Sequence, residues 1–118
     1  MAMAGEVLRH VTKKACTILY PFEKDQVFMP KGFRGKQKFD IEKCTGCGLC
    51  ARDCPSGAIT MVECSKEVTK TGKRPIFDLA LCLFCGQCEE SCKFDAVVMT
   101  EEYELAGFEK SNLIIDIC

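Results

Sequence analysis

Eight of the eleven cysteines in this 118-residue chain fall into two runs of one spacing, Cys44-x2-Cys47-x2-Cys50-x3-Cys54 and Cys82-x2-Cys85-x2-Cys88-x3-Cys92. Thiolates two residues apart can curl over three corners of a cube of iron and sulfide, and this spacing is one that iron–sulfur proteins use. The fourth iron needs a thiolate from the opposite side. A chain committed to three corners does not easily turn back to reach it, but a second run can. Cys44, Cys47 and Cys50 are therefore expected to take Cys92, and Cys82, Cys85 and Cys88 to take Cys54, as the ligands of two [4Fe–4S] clusters. Such crossing would also tie together the halves of a chain too short to rely on its apolar core alone.

Two blander uses of cysteine fit less well. Zinc sites usually pair CxxC units across a longer spacer and often recruit His. Here three cysteines stand in succession, and the only histidine, His10, is far from both runs. Disulfides belong to oxidising compartments. Residues 1–20 are interrupted by Glu6, Arg9, His10, Lys13 and Lys14 and contain no secretory apolar run. Nothing later approaches the ~18 apolar residues of a membrane span. The chain thus reads as intracellular, with no span of its own. Cys16, Cys64 and Cys118 lie outside the runs and are expected to act as small hydrophobes rather than as a third metal site.

The elements that must position these thiols come as a repeat. Residues 40–61 overlay residues 78–99, matching Asp40 with Asp78, Gly48 with Gly86, Ala58 with Ala96, Ile59 with Val97 and Met61 with Met99. Two copies are too few for a solenoid and suit a two-fold pseudosymmetric domain. Ile59–Val62 and Val97–Met99 read as short strands. Pro55–Ala58 and Phe94–Ala96 are expected to open one or two helical turns. Val68–Phe77 reads as a hairpin turning near Lys70–Gly72, with Pro75 confining its strand to an edge. Ile41, Leu49, Ile59, Ile76, Phe77, Leu83, Phe84 and Val97 are the candidates for a dry shell around the clusters.

The N-terminal region has another character. Val7, Leu8, Val11, Ala15, Ile18 and Leu19 recur at helical spacing, predicting a helix over residues 6–19 that Pro21 stops. Residues 22–38 read as an extended basic arm with Pro30, Gly32 and Gly35, and the closing NLIIDIC as a short strand on the domain's own surface. Residues 1–43 carry nine Lys/Arg against five Asp/Glu, and residues 44–118 seven against twelve. The basic residues form no nucleic-acid-binding motif. No Ser/His/Asp set or nucleotide-binding glycine loop is present, and four cysteines per cluster leave no iron open to a substrate. No catalytic residues are expected.

On these motifs, residues 40–100 resemble a bacterial-type two-cluster ferredoxin domain. Tyr20-Pro21-x-Glu23 and Pro30-Lys31-Gly32-Phe33-Arg34-Gly35-Lys36 resemble the arm before the cluster domain in the two-cluster subunit of respiratory complex I. They resemble still more the matching subunit of energy-converting, membrane-bound nickel–iron hydrogenases and related sulfur-reducing complexes. The resemblance implies an α+β ferredoxin-like fold, with residues 1–38 as helix and docking arm, 39–105 as the cluster domain and 106–118 as an extension. It implies a non-catalytic subunit relaying single electrons toward a cluster-bearing or catalytic hydrogenase-like partner, with soluble ferredoxin a candidate donor. Its place would be cytoplasmic, peripheral on the inner face of the cell membrane through partner subunits. Lys93 departs from the family, which often has Pro after the fourth cysteine, as Pro55 is here; a cation there is expected to raise the first cluster's potential. Two other readings stay open: a freely diffusing two-cluster carrier, and a zinc-bound structural module.

Overall fold

The computed structural model describes residues 2–65, 67 and 69–116, in two units, residues 1–30 and 31–118. Val68 and Cys118, both part of the expectations above, lie outside the described residues.

In the first unit, α1 spans Ala2–Val11, so the helix begins earlier and ends sooner than residues 6–19. Its end is marked by local competition: the Thr12 hydroxyl donates to the Arg9 carbonyl (3.2 Å) and Lys13 N–H to the His10 carbonyl (3.3 Å). Hydroxyl side chains that bond the preceding turn favour helix ends over helix interiors. Val7, Leu8 and Val11 remain exposed. Glu23 closes a turn by accepting from Leu19 N–H (3.1 Å) while its own N–H donates to the Leu19 carbonyl (2.9 Å). A short 3-10 turn, Lys24–Gln26, follows, so the arm is not extended throughout.

The second unit is a small mixed helix-and-sheet domain. β1 (Gln37–Phe39) pairs antiparallel with β4 (Val97–Met99); β2 (Ile59–Glu63), β3 (Lys73–Asp78) and β5 (Ile114–Ile115) form a second sheet in the order β2-β3-β5. The two cysteine-bearing helical turns are α2 (Leu49–Arg52) and α3 (Gln87–Glu90). They carry the third cysteine of each run and end before the fourth, not after it. There the backbone takes positive φ at Gly57 (66°) and Asp95 (49°), which an α-helix does not allow. The hairpin also differs from expectation. Its turn falls at residues 70–72, closed by Cys64 N–H to the Gly72 carbonyl (2.9 Å), but the strand that pairs with β3 is β2. β3 is the middle strand, which Pro75 tolerates because β5 reaches only Phe77 and Asp78. The expected C-terminal strand forms there.

The register is where the repeat acquires consequence. β1 precedes the first cysteine run and pairs with β4, which follows the second (Phe39 opposite Val97). β3 precedes the second run and pairs with β2, which follows the first (Phe77 opposite Ile59). Each ladder is continued by the same bond, Asp40 N–H to the Ala96 carbonyl and Asp78 N–H to the Ala58 carbonyl, both 2.8 Å. Phe39 and Phe77, matched residues of the repeat, meet with ring centroids 5.5 Å apart. Around them the core gathers Ile59, Ala96, Val97 and Cys88. Fully burying such a phenylalanine is worth ~1.5–3 kcal/mol. Leu83, expected in the dry shell, lines one of the hollows but is 66% exposed, so it shields little; Phe39, outside the expected shell, is buried in the core.

Candidate metal centre

Each strand pairing carries a fourth cysteine to the opposite run. The ladders bring Ala58 beside Asp78 and Ala96 beside Asp40, in each case four residues from the fourth cysteine of one run and from the first cysteine of the other. The outcome is two hollows, each with about 360 Å³ of free space, open solvent included. One is lined by Cys44, Cys47, Cys50 and Cys92, under Phe39, Leu49, Met61, Pro75 and Val97. The other is lined by Cys54, Cys82, Cys85 and Cys88, under Ile59, Phe77, Leu79 and Leu83. All eight expected residues are therefore brought together, in two groups of four drawn from both runs. Among the described residues, no group of three or more His, Cys, Asp or Glu could hold a single metal ion; the thiols ring a volume instead.

The loops present backbone donors to the sulfurs. Gly46 N–H donates to Cys44 Sγ (3.4 Å), Phe84 N–H to Cys82 Sγ (3.3 Å) and Ala96 N–H to Cys92 Sγ (3.3 Å). The first two occupy matched positions, and both residues have positive φ, 73° at Gly46 and 50° at Phe84. A bulky side chain there is strained by roughly 1–3 kcal/mol, a cost that persists where surrounding structure demands the conformation. Gly46 has no alternative: a Cβ would collide with the Thr71 hydroxyl and the Lys73 carbonyl. Two side chains join the backbone donors on one side: Gln37 Nε2 donates to Cys82 Sγ (3.0 Å), and the Ser56 hydroxyl lies 3.6 Å from Cys54 Sγ. The cysteine spacing gave no hint of Gln37, which lies 45 residues before Cys82 and meets it only in the folded chain.

The thiols feel both their burial and one another. Burial, with the nearby Cys44, Cys47 and Cys92, pushes Cys50 up to about 11. Cys88 is likewise pushed up to about 11, first by burial and then by Cys82, with a contribution from Cys50 of the other cavity. Cys44 is raised by burial and by Cys47, Cys92 and Cys64. Cys54 differs: burial pushes it up, but hydrogen bonds from the Ser56 side chain and from Ser56, Ala58 and Gly57 N–H bring it below the usual thiol value. Cys64 lies close enough to affect Cys44, and its thiol is 3.3 Å from the Thr69 hydroxyl. Cys16 is exposed. The donor set fits an iron–sulfur cluster: four sulfurs around a mostly apolar hollow, with N–H dipoles aimed at the sulfurs to offset negative charge.

A family model described as a 4Fe-4S dicluster domain matches residues 43–110, more than half of the chain. The chain belongs to that family, and its cofactors are two [4Fe–4S] clusters. Among curated proteins it is similar to the NAD(P)H-quinone oxidoreductase subunit I of Synechocystis sp., 44% identical over 91% of this chain and 55% of the relative. It is also similar to the NADH-quinone oxidoreductase subunit I of Acinetobacter baylyi, 36% identical over 52% of this chain and 37% of the relative. The chain thus spans about half or less of the length of these relatives. Among solved structures it resembles a chain in the membrane-bound sulfane sulfur reductase, an archaeal respiratory membrane complex, with a TM-score of 0.66 at 28% identity, covering 92% of this chain and 56% of that one.

Proposed function

We propose that the protein is an electron-relay subunit of a complex I-like, membrane-associated oxidoreductase complex, and that Cys44, Cys47, Cys50 and Cys92 ligate one cluster while Cys82, Cys85, Cys88 and Cys54 ligate the other. The observation that carries the ligand reading is the composition of the two cavities, each bounded by three thiols of one run and the fourth of the other. The matched bonds Asp40 N–H to Ala96 and Asp78 N–H to Ala58 support reading the domain as two-fold pseudosymmetric. When bound, each cluster takes up and releases one electron without a bond being made or broken. The chain's own work is to hold the thiolates, keep water away with Phe39, Phe77, Ile59 and Val97, and aim backbone N–H groups at sulfur.

The subunit reading draws on the relatives named above and on residues 1–38, a helix and basic arm for which a freely diffusing carrier has no evident use. This segment is read as the docking element, with the complex holding the protein peripherally on the inner face of the membrane. No helix among the described residues is long and apolar enough to cross a membrane. The hydrogenase branch rests on the arm's resemblance alone. Anaerobic purification with mass spectrometry selects the branch: a nickel-binding, quinone-reducing or sulfur-reducing partner each chooses one. Release of the intact protein without partners would instead favour the diffusing carrier.

Iron analysis tests the crossed ligands. The native chain should hold about eight iron atoms and Cys54→Ala about four. Adding Cys82→Ala to Cys54→Ala should cost nothing more, whereas adding Cys44→Ala should remove nearly all iron. The reverse pattern would mean that each run keeps its own fourth cysteine.

A further inference from the structure

We propose that Gln37 is a positioning residue whose side-chain amide, by donating to Cys82 Sγ, raises the reduction potential of the cluster on that side above that of its twin. The inference rests on the ligand partition proposed above. Gln37 is only 4% exposed, and its Nε2 lies 3.0 Å from Cys82 Sγ. Its Oε1 is buried and has no hydrogen-bond partner among the described residues. A buried amide with an orphaned acceptor is a net cost that an apolar residue of similar length would avoid. What the amide does with its N–H must offset that. The orientation follows from chemistry: a thiolate can only accept, so the nitrogen and not the oxygen faces the sulfur.

The matched position in the other half offers no such donor. There Pro75 lines the first cavity, as Gln37 lines the second, and proline has neither a side-chain donor nor an N–H. The backbone bonds from Gly46 and Phe84 are common to both halves and cannot separate them; the Ser56 hydroxyl, 3.6 Å from Cys54 Sγ where the other half has Phe94, acts on the same side as Gln37, and only the Gln37 substitution tells the two apart. Reduction adds one electron from an external one-electron donor, with no proton or bond exchanged, and leaves the cluster more negative. An N–H dipole aimed at a ligating sulfur favours that state and moves the potential upward. The second cluster would then hold the electron more strongly, giving the relay a direction of fall within one chain.

The test is a dithionite titration of the two-cluster protein followed by electron paramagnetic resonance. Gln37→Met keeps the length, removes the donor and removes the orphaned oxygen. One of the two signals should then show an about tenfold lower ratio of reduced to oxidised cluster at fixed ambient potential, which is 59 mV for one electron. The other signal should stay, and thermal stability should not fall. Cys82→Ser must perturb that same signal, and Pro75→Gln should raise the other. If neither signal moves in Gln37→Met, or if the one that moves is not the one Cys82→Ser perturbs, the inference is overturned. About eight iron atoms in the variant would show that the cluster reading itself still holds.

Discussion

The two copies of the repeat reach one backbone geometry by different residues. Where the first turns at Gly46 and Gly57, the second turns at Phe84 and Asp95, and all four have positive φ. The bonds to sulfur nonetheless agree within a tenth of an ångström, 3.4 Å from Gly46 and 3.3 Å from Phe84. The comparison teaches that the thiol cage, not the local preference of its residues, dictates this conformation. Glycine is obligatory only where the neighbouring chain closes in, as Thr71 and Lys73 do on Gly46. The second copy accepts a strained phenylalanine because its matched position has room for a side chain.

The largest break in the comparison should come from Gly46→Ala. It adds a Cβ to a walled position and forces a left-handed conformation on it, at about 2–4 kcal/mol. Phe84→Ala keeps the conformation and loses only half-buried apolar area, so about 1 kcal/mol is expected. Denaturation of the two proteins side by side checks this, and equal losses would mean that the crowding at Gly46 is immaterial.

Cluster assembly should treat the halves alike. Cys50 and Cys88 are matched, and burial pushes each up to about 11, so near neutrality both carry protons that ligation must displace. Raising the pH lowers that cost, so reconstitution with iron and sulfide should be more complete at about pH 8.5 than at about pH 6.5 for both clusters. A yield that does not rise with pH, measured from iron content, would count against the buried thiols as ligands.

The smallest effect concerns Lys93, matched to Pro55. Its side chain is exposed, so water and salt screen its charge. Lys93→Pro should lower only the potential of the cluster beside Cys92, by less than Gln37→Met lowers the other. Identical potentials before and after would remove Lys93 from the account.

Much of the site was legible without coordinates because cluster chemistry leaves a covalent signature: the thiols must be cysteines at short fixed spacings. The strands Ile59–Glu63 and Val97–Met99 were also legible, being apolar runs bounded by turn residues. Helix placement was not. The turns at Leu49–Arg52 and Gln87–Glu90 are set by the left-handed Gly48 and Gly86 and by the need to point Cys50 and Cys88 inward, which no propensity records. The predicted helix over residues 6–19 failed because apolar spacing continues beyond Val11 while the backbone hydrogen bonds do not.

Sequence alone determined which atoms could bind metal, how many clusters they could hold and that the halves correspond, since these depend on residue type and interval. The crossing of the fourth cysteines was already expected from their spacing; what tertiary structure adds is the means, since antiparallel pairing of β1 with β4 and of β2 with β3 exchanges the ends of the two runs. It also decided that the halves are not equivalent. Gln37 and Pro75 are 38 residues apart in the chain, and only folding sets one as a donor to sulfur and the other as a mute wall.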